Sequence, residues 1–216
     1  MKKYLKRTSV HNVIRIFINP GMFKLTIITP SQRAQNLKRI KESICFEFVS
    51  EWIIVYDKRY YEEVPGIFSQ DDQNEGGKIK EFTYYVDGDV WGNGQRNYAL
   101  DRIEDKDSYL YFLDDDNIMH KSFFPWFKTL TERKMYTFNN FYHQYRVVSK
   151  GNDIRIGKID TGMLLVHYDI CKDLRWERDM CDADGRFIVA CKERSEDAYE
   201  YLDVILAYYN NLRQTY

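Results

Sequence analysis

Little in this 216-residue chain points to a metal cage, a disulfide scaffold, a membrane span or a polyanion-binding surface. Its four cysteines, Cys45, Cys171, Cys181 and Cys191, form no CxxC pair and keep no zinc-type spacing with the four histidines. That excludes a structural zinc site and a disulfide framework, and it fits a reducing compartment. No apolar run approaches the roughly 20 residues that a membrane-spanning helix requires, so no membrane span is expected. With 32 Lys+Arg against 33 Asp+Glu the net charge is -1, which leaves no global field to hold a polyanion, and no nucleic-acid partner is expected. Internal repeats, low-complexity tracts and a dividing linker are also missing.

What is present is the material of one α/β core. Hydrophobic residues make up 44%, aromatics 16% and charged residues 30% of the chain, enough apolar surface for a single large domain with a charged exterior. Residues 1–23 are basic, and Arg15 interrupts their apolar patch, so this segment reads as an arm or edge element. Residues 24–216 read as the domain itself. Lys24 to Ile28 is a strand-like run that stops at Thr29-Pro30. Leu37, Ile40 and Ile44 then recur at helical spacing, with Ser31 as a candidate cap. Trp52 to Tyr56 is a continuous apolar run ending at Asp57. Strand, helix and strand in about 35 residues is a βαβ unit of a parallel sheet.

Further along, Phe82 to Val86 reads as a third strand, Gly92-Asn93-Gly94 opens a helix carrying Ala99, Leu100 and Ile103, and Tyr109 to Leu113 forms a fourth strand. A helix around Phe123 to Leu130 and strand-like stretches at Met135 to Phe138 and Met163 to Val166 follow. Ala198, Leu202, Ile205, Leu206 and Tyr209 are spaced as the buried face of a final helix. Trp91, Trp126 and Trp176 read as core or rim residues whose faces can stack on an acceptor sugar.

The fourth strand runs into Asp114-Asp115-Asp116. In an open α/β sheet, ligands sit beyond the carboxyl ends of the strands. Taken alone, three aspartates there are a polar turn. Their mutual repulsion would be offset by a divalent cation, and oxygen-only ligation selects Mg2+ or Mn2+ with a diphosphate completing the shell.

Four segments in order carry a resemblance: Ile28-Thr29-Pro30, Trp52-Ile53-Ile54-Val55-Tyr56-Asp57, Gln95-Arg96-Asn97-Tyr98-Ala99-Leu100 and Asp114-Asp115-Asp116-Asn117. Together they resemble the GT-A glycosyltransferases, and most closely glycosyltransferase family 43, the glucuronyltransferase-like enzymes. Gln32 stands where that family's pattern has Tyr. The resemblance implies a single GT-A domain, a Rossmann-like α/β fold with a mainly parallel central sheet flanked by helices. Residues 24–117 would form the nucleotide-sugar-binding half and residues 118–216 the acceptor-binding half. It further implies a metal-dependent, inverting transfer of a sugar from a UDP-sugar donor to a hydroxyl of a glycan acceptor. Thr29, Pro30, Arg33, Asp57, Gln95, Arg96, Asp114 and Asp115 would bind the nucleotide sugar. Asp57 would contact the uracil, Arg96 would pair with Asp114, Asp115 would hold the ribose, and Asp116 would ligate Mn2+ (or Mg2+).

Minimal GT-A domains of large algal viruses are similar in size, so a virus-encoded or bacterial enzyme is expected, soluble and cytoplasmic, in the host cytoplasm if viral. Ser195-Glu196-Asp197, read as the start of the last helix, supplies the candidate general base, Asp197, with Glu196 beside it. The macrodipole alone also favours acids in a first helical turn. The alternatives are a nucleotidyltransferase making nucleotide sugars and a non-catalytic glycan-binding domain of the same fold.

Overall fold

Nine strands form one mixed sheet in a computed structural model that describes residues 23–68, 74–142 and 144–213. Apart from Phe23, the arm expected over residues 1–23 lies outside the described residues. The chain opens with β1 (Lys24–Ser31), a 3-10 turn at Ala34–Asn36, α1 (Leu37–Lys41) and β2 (Val49–Asp57). β2 pairs with β1 in parallel, Ile27 opposite Trp52 and Ser31 opposite Tyr56. The continuous apolar run of β2 is explained by burial on both sides. Trp52, Ile54 and Tyr56 join the core on one face with Leu37 and Ile40 of α1, while Ile53 and Val55 join the core on the other.

β1 continues past Thr29-Pro30, where the sequence suggested it would stop. The Ile28 carbonyl accepts from the Leu113 amide, which points the backbone groups of Ile28, and by alternation Pro30, toward the neighbour on that side. That neighbour's ladder ends at Ile28, so the missing Pro30 N–H leaves no bond unmade.

β3 (Ile79–Tyr84), α2 (Asn93–Leu100) and β4 (Ser108–Phe112) complete the parallel half, in the order β3-β2-β1-β4. β3 begins three residues before the expected Phe82 and stops at Tyr84, because its register with β2 offers partners only as far as Asp57. The other half holds β5 (Ile118–Met119), α3 (Phe123–Phe127), β6 (Met135–Tyr142), β7 (Val147–Ser149), β8 (Leu164–His167), α4 (Tyr168–Cys171), α5 (Ala183–Ser195) and β9 (Tyr199–Tyr209). β8 runs antiparallel between β4 and β6, and β9 runs parallel to β6. The segment leading into β8 and the ends of β6 and β9 therefore meet the carboxyl ends of β1, β2 and β4 at one edge.

The final helix expected over Ala198 to Tyr209 is a strand. Opposite β6, Phe138 pairs with Leu202 but Asn139 pairs with Ile205 and Asn140 with Ala207, so three residues of β9 are extra. Asp203 and Val204 bulge outward and are exposed. These bulges break the two-residue alternation and leave apolar residues three and four apart, which imitates a helix. The last helix is α5, with Asp184 in its first turn and Lys192 and Arg194 in its last, as the macrodipole favours. Phe187, Ile188 and Cys191 bury its inner face.

Candidate active site

A cleft of about 510 Å3 opens at the carboxyl ends of β1, β2 and β4, and the aspartate triplet forms its floor. Each member has a different partner. Asp115 is buried, and its Oδ2 accepts the amides of Gln32 and Arg33 at 2.7 Å each and the Ser31 hydroxyl at 3.3 Å. Ser31 thus binds Asp115 and does not cap α1. Arg33 Nη2 lies 2.5 Å from Asp115 Oδ1 and 2.8 Å from Asp116 Oδ2, bridging the two. Asp114 takes Arg96 Nη2 at 2.6 Å.

Burial raises the pKa of Asp115 despite Arg33 and the amides. Burial and the neighbouring Asp114 push Asp116 up to about 6. A cation against Asp116 would relieve both costs. Among the described residues no three metal-ligating side chains form a cage, so a divalent ion here would take its remaining oxygens from a phosphate ligand and water, as Mg2+ and Mn2+ do.

Arg96 is buried. Its Nη1 donates to the Trp91 carbonyl at 2.9 Å, so one guanidinium holds both the triplet and the loop before α2. At the end of β2, Asp57 receives Arg59 through the backbone amide at 2.9 Å and the guanidinium at 2.6 Å, and Gln32 Nε2 at 3.2 Å. Burial opposes the ionisation of Asp57, but the Arg59 bonds outweigh it and hold its pKa below the ordinary value.

Pro30, Arg33, Asp57, Gln95, Arg96, Asp114, Asp115 and Asp116 all line this one cleft. Thr29 does not. It is fully buried, and its hydroxyl accepts the Trp52 indole N–H at 2.9 Å, which makes it a strut between β1 and β2.

Glu196 and Asp197 are elsewhere. They follow the last residue of α5, where the Ser195 hydroxyl donates back to the Lys192 carbonyl, so this tripeptide ends a helix and starts none. Ala198 bonds to Met135 at the beginning of β6, which puts the pair at the far end of the sheet. From there β9 travels eleven residues, roughly 30 Å, before Tyr209 reaches the cleft.

The carboxylates near the triplet are instead Asp160 and Asp184. They line a second cleft of about 240 Å3 with Tyr142 and Asp182. Asp184, in the first turn of α5, lies 3.8 Å from Arg96 Nη1 and accepts the Trp176 indole N–H at 3.2 Å. Asp160 Oδ1 accepts the Gly162 amide at 2.8 Å. Burial raises both carboxyls above the ordinary value, with Asp184 and Asp114 adding to the rise of Asp160, and Asp114 adding to that of Asp184 against the opposing charge of Arg96. Tyr209 lines the first cleft and Tyr142 the second, and their rings meet at 4.4 Å between centroids, tilted by 37°.

Sequence reasoning missed Tyr60, Asp89, Asp160, Asp184, Tyr209 and Arg213 as site residues, and it offered Trp91 only as a core or rim residue whose face could stack on an acceptor sugar. A detectable signal existed for one of them: Asp182-Ala183-Asp184 ahead of an apolar stretch has the composition of a helix start. Arg213 arrives through a turn tied to the triplet, with the Leu212 amide on the Asp116 carbonyl and the Asn210 amide on Asn117 Oδ1.

No family model matches the sequence, and no curated protein matches it either. Solved structures do share its architecture. The mannosyltransferase PcManGT from Pyrobaculum calidifontis, in complex with GDP-Man and Mn2+, superposes with a TM-score of 0.58 at 12% identity, over 92% of this chain and 60% of its own. Glucosyl-3-phosphoglycerate synthase from Mycobacterium tuberculosis, in complex with Mn2+, UDP and phosphoglyceric acid, gives a TM-score of 0.52 at 11% identity, over 88% of this chain and 71% of its own. The fold is that of the GT-A glycosyltransferases. This chain spans three-fifths of the length of the mannosyltransferase. Among the described residues no helix is long and apolar enough to cross a membrane.

Proposed function

We propose that this protein is a metal-dependent, inverting glycosyltransferase that moves a sugar from a nucleotide diphosphate donor, a UDP-sugar, to a hydroxyl of a glycan acceptor. The observation that carries this is the convergence of Pro30 to Arg33, Asp57, Gln95-Arg96 and Asp114 to Asp116, four segments far apart in sequence, on one cleft of the fold. Their sequence pattern resembles glycosyltransferase family 43, and each of these four segments contributes at least one residue to the cleft. A nucleotidyltransferase would call for a glycine-rich loop after β1, and Pro30-Ser31-Gln32-Arg33 has no glycine.

In this reading the nucleotide lies over the ends of β1 and β2, and the diphosphate lies between the triplet and the guanidiniums of Arg33 and Arg213. Asp116 would hold Mn2+ or Mg2+, which when bound neutralises charge on the departing diphosphate. The acceptor enters by the second cleft. Its oxygen forms a bond to the anomeric carbon as the bond from that carbon to the phosphate oxygen breaks, and the electron pair leaves with the diphosphate. The acceptor proton passes to Asp184, the carboxylate nearest Arg96 on the acceptor side. A raised pKa makes that group a stronger base, and Arg96, 3.8 Å away, opposes the rise and favours the ionised form.

Calorimetry with UDP, GDP and a panel of their sugars, with and without Mn2+, followed by slow hydrolysis of each sugar without acceptor, tests this. Metal-dependent micromolar binding and release of sugar from at least one UDP-sugar are expected. Failure of every nucleotide to bind would overturn it.

A further inference from the structure

Eight large apolar side chains are exposed among the described residues, and four of them, Tyr145, Val147, Val148 and Ile156, fall within residues 144–158. Exposed apolar residues scattered singly are ordinary, whereas a cluster of them marks an interaction surface. Tyr145 is 66% exposed and Val147 54%, although β7 is paired along its length, with Val147 opposite Tyr142 and Val148 opposite Phe141. Successive strand residues point to opposite faces of a ribbon. Val147 and Val148 therefore leave both faces of the β6–β7 ribbon apolar and exposed. A rigid partner surface covers one face of a ribbon, while a medium that surrounds its tip covers both. At three residues, β7 is also too short to template a strand from a partner.

The charge of the same segment points to the medium. Arg146, Lys150, Arg155 and Lys158 are all exposed and stand against a single acid, Asp153, in a chain whose net charge is -1. Asp153 binds Arg155. Lys150 lies 3.8 Å from Asp203 with both side chains more than half exposed, where an ion pair contributes little. Apolar side chains flanked by long cations have the composition of an interfacial anchor: the apolar groups enter the boundary between headgroups and acyl chains, and Lys and Arg keep their ends at its anionic surface. Through Ser149, Gly157 and Lys158 this segment also forms one wall of the second cleft.

We propose that residues 144–158 are a docking surface for an anionic lipid bilayer, with Tyr145, Val147 and Val148 entering the headgroup layer and Arg146 and Lys150 meeting its charge. The contact is peripheral and reversible. It places the second cleft beside the lipid, where, on the transferase reading above, the acceptor enters.

Flotation of the full chain with vesicles tests this without any nucleotide. Vesicles of phosphatidylcholine mixed with phosphatidylglycerol should carry the protein at low salt, and vesicles of phosphatidylcholine alone, or high salt, should weaken that by about tenfold or more. Val147→Ser combined with Val148→Ser should weaken partitioning about tenfold, and Arg146→Gln combined with Lys150→Gln about tenfold or more. None of these four residues lines either cleft, so both double variants should keep the wild-type melting temperature and calorimetric UDP affinity. Wild-type protein that floats with neither kind of vesicle would overturn the proposal, as would unchanged flotation of both double variants. A dimer in sedimentation velocity that the two serines dissolve, without vesicle binding, would assign the patch to a second copy of the chain and overturn it. Vesicle binding without nucleotide binding in wild type would uphold the docking surface and overturn only the transferase reading.

Discussion

At the scale of single residues, the site depends on guanidinium groups that each hold two things. Arg96 binds Asp114 and the Trp91 carbonyl with different nitrogens, a geometry that a planar fork allows and an ammonium does not. Arg96→Lys should therefore keep the charge and still lower stability by about 1–3 kcal/mol, with a parallel loss of nucleotide affinity. Thermal melting and calorimetry on the same sample check this, and wild-type values in both would show that the fork is dispensable. Asp160 makes a second case. Buried beside Asp184 and Asp114, its carboxyl holds its proton to a higher pH than in the unfolded chain, where its pKa is about 3.9. Below that value it costs the fold nothing, and as pH rises through and beyond it the folded state loses stability relative to the unfolded state. Asp160→Asn can still accept the Gly162 amide and cannot ionise. It should melt above wild type at pH 8, by about 2–4 °C for each ~1 kcal/mol recovered, and the gap should close toward pH 4.

Elements are placed by contacts at their ends. α2 starts where Gly92 passes Pro30, and Gly92→Ala would add both a left-handed alanine and a collision at 2.7 Å. The expected cost is about 1–3 kcal/mol, together with weakened nucleotide binding as Trp91 and Pro30 shift. Gly88→Ala is the comparison: φ is +81 there but nothing stands within 4 Å, so only the backbone cost of about 1 kcal/mol should appear. Equal melting temperatures for the two variants would mean that the approach to Pro30 does not position α2. α5 shows the same dependence on an end contact. Gly185 sits where a Cβ would meet the Ile156 backbone at 2.8 Å, so the loop before Asp160 packs directly on the turn that presents Asp184.

For the whole molecule, sheet direction decides which acids can act. Asp184 reaches the cleft side because β8 returns antiparallel to β4 and α5 begins where that loop lies, while Glu196 and Asp197 are at the other end of β9. Asp184→Asn should keep UDP-sugar affinity and lose about 10²- to 10⁴-fold in turnover. Glu196→Gln and Asp197→Asn should each retain turnover within about twofold. Steady-state rates under saturating donor and acceptor decide it. Loss of activity in Asp197→Asn with wild-type rates in Asp184→Asn would reverse the assignment.

Sequence by itself determined the parallel half of this protein. Its strands β2 and β4 are buried on both faces, so Trp52 to Tyr56 and Tyr109 to Leu113 appear as unbroken apolar runs, and the acidic triplet and Arg96 were legible because each follows or opens a regular element. Local signals were enough there, since β1, α1 and β2 are neighbours in the chain and in space. The other half was decided by tertiary structure. β9 has the apolar spacing of a helix, and only its bulged pairing with β6 makes it a strand. Ser31 has the chemistry of a cap and Thr29 that of a ligand contact, yet Asp115 and Trp52 take their hydroxyls. Asp184, Tyr209 and Arg213 come to the cleft through strand directions and turns, and residue type and local spacing do not encode strand order.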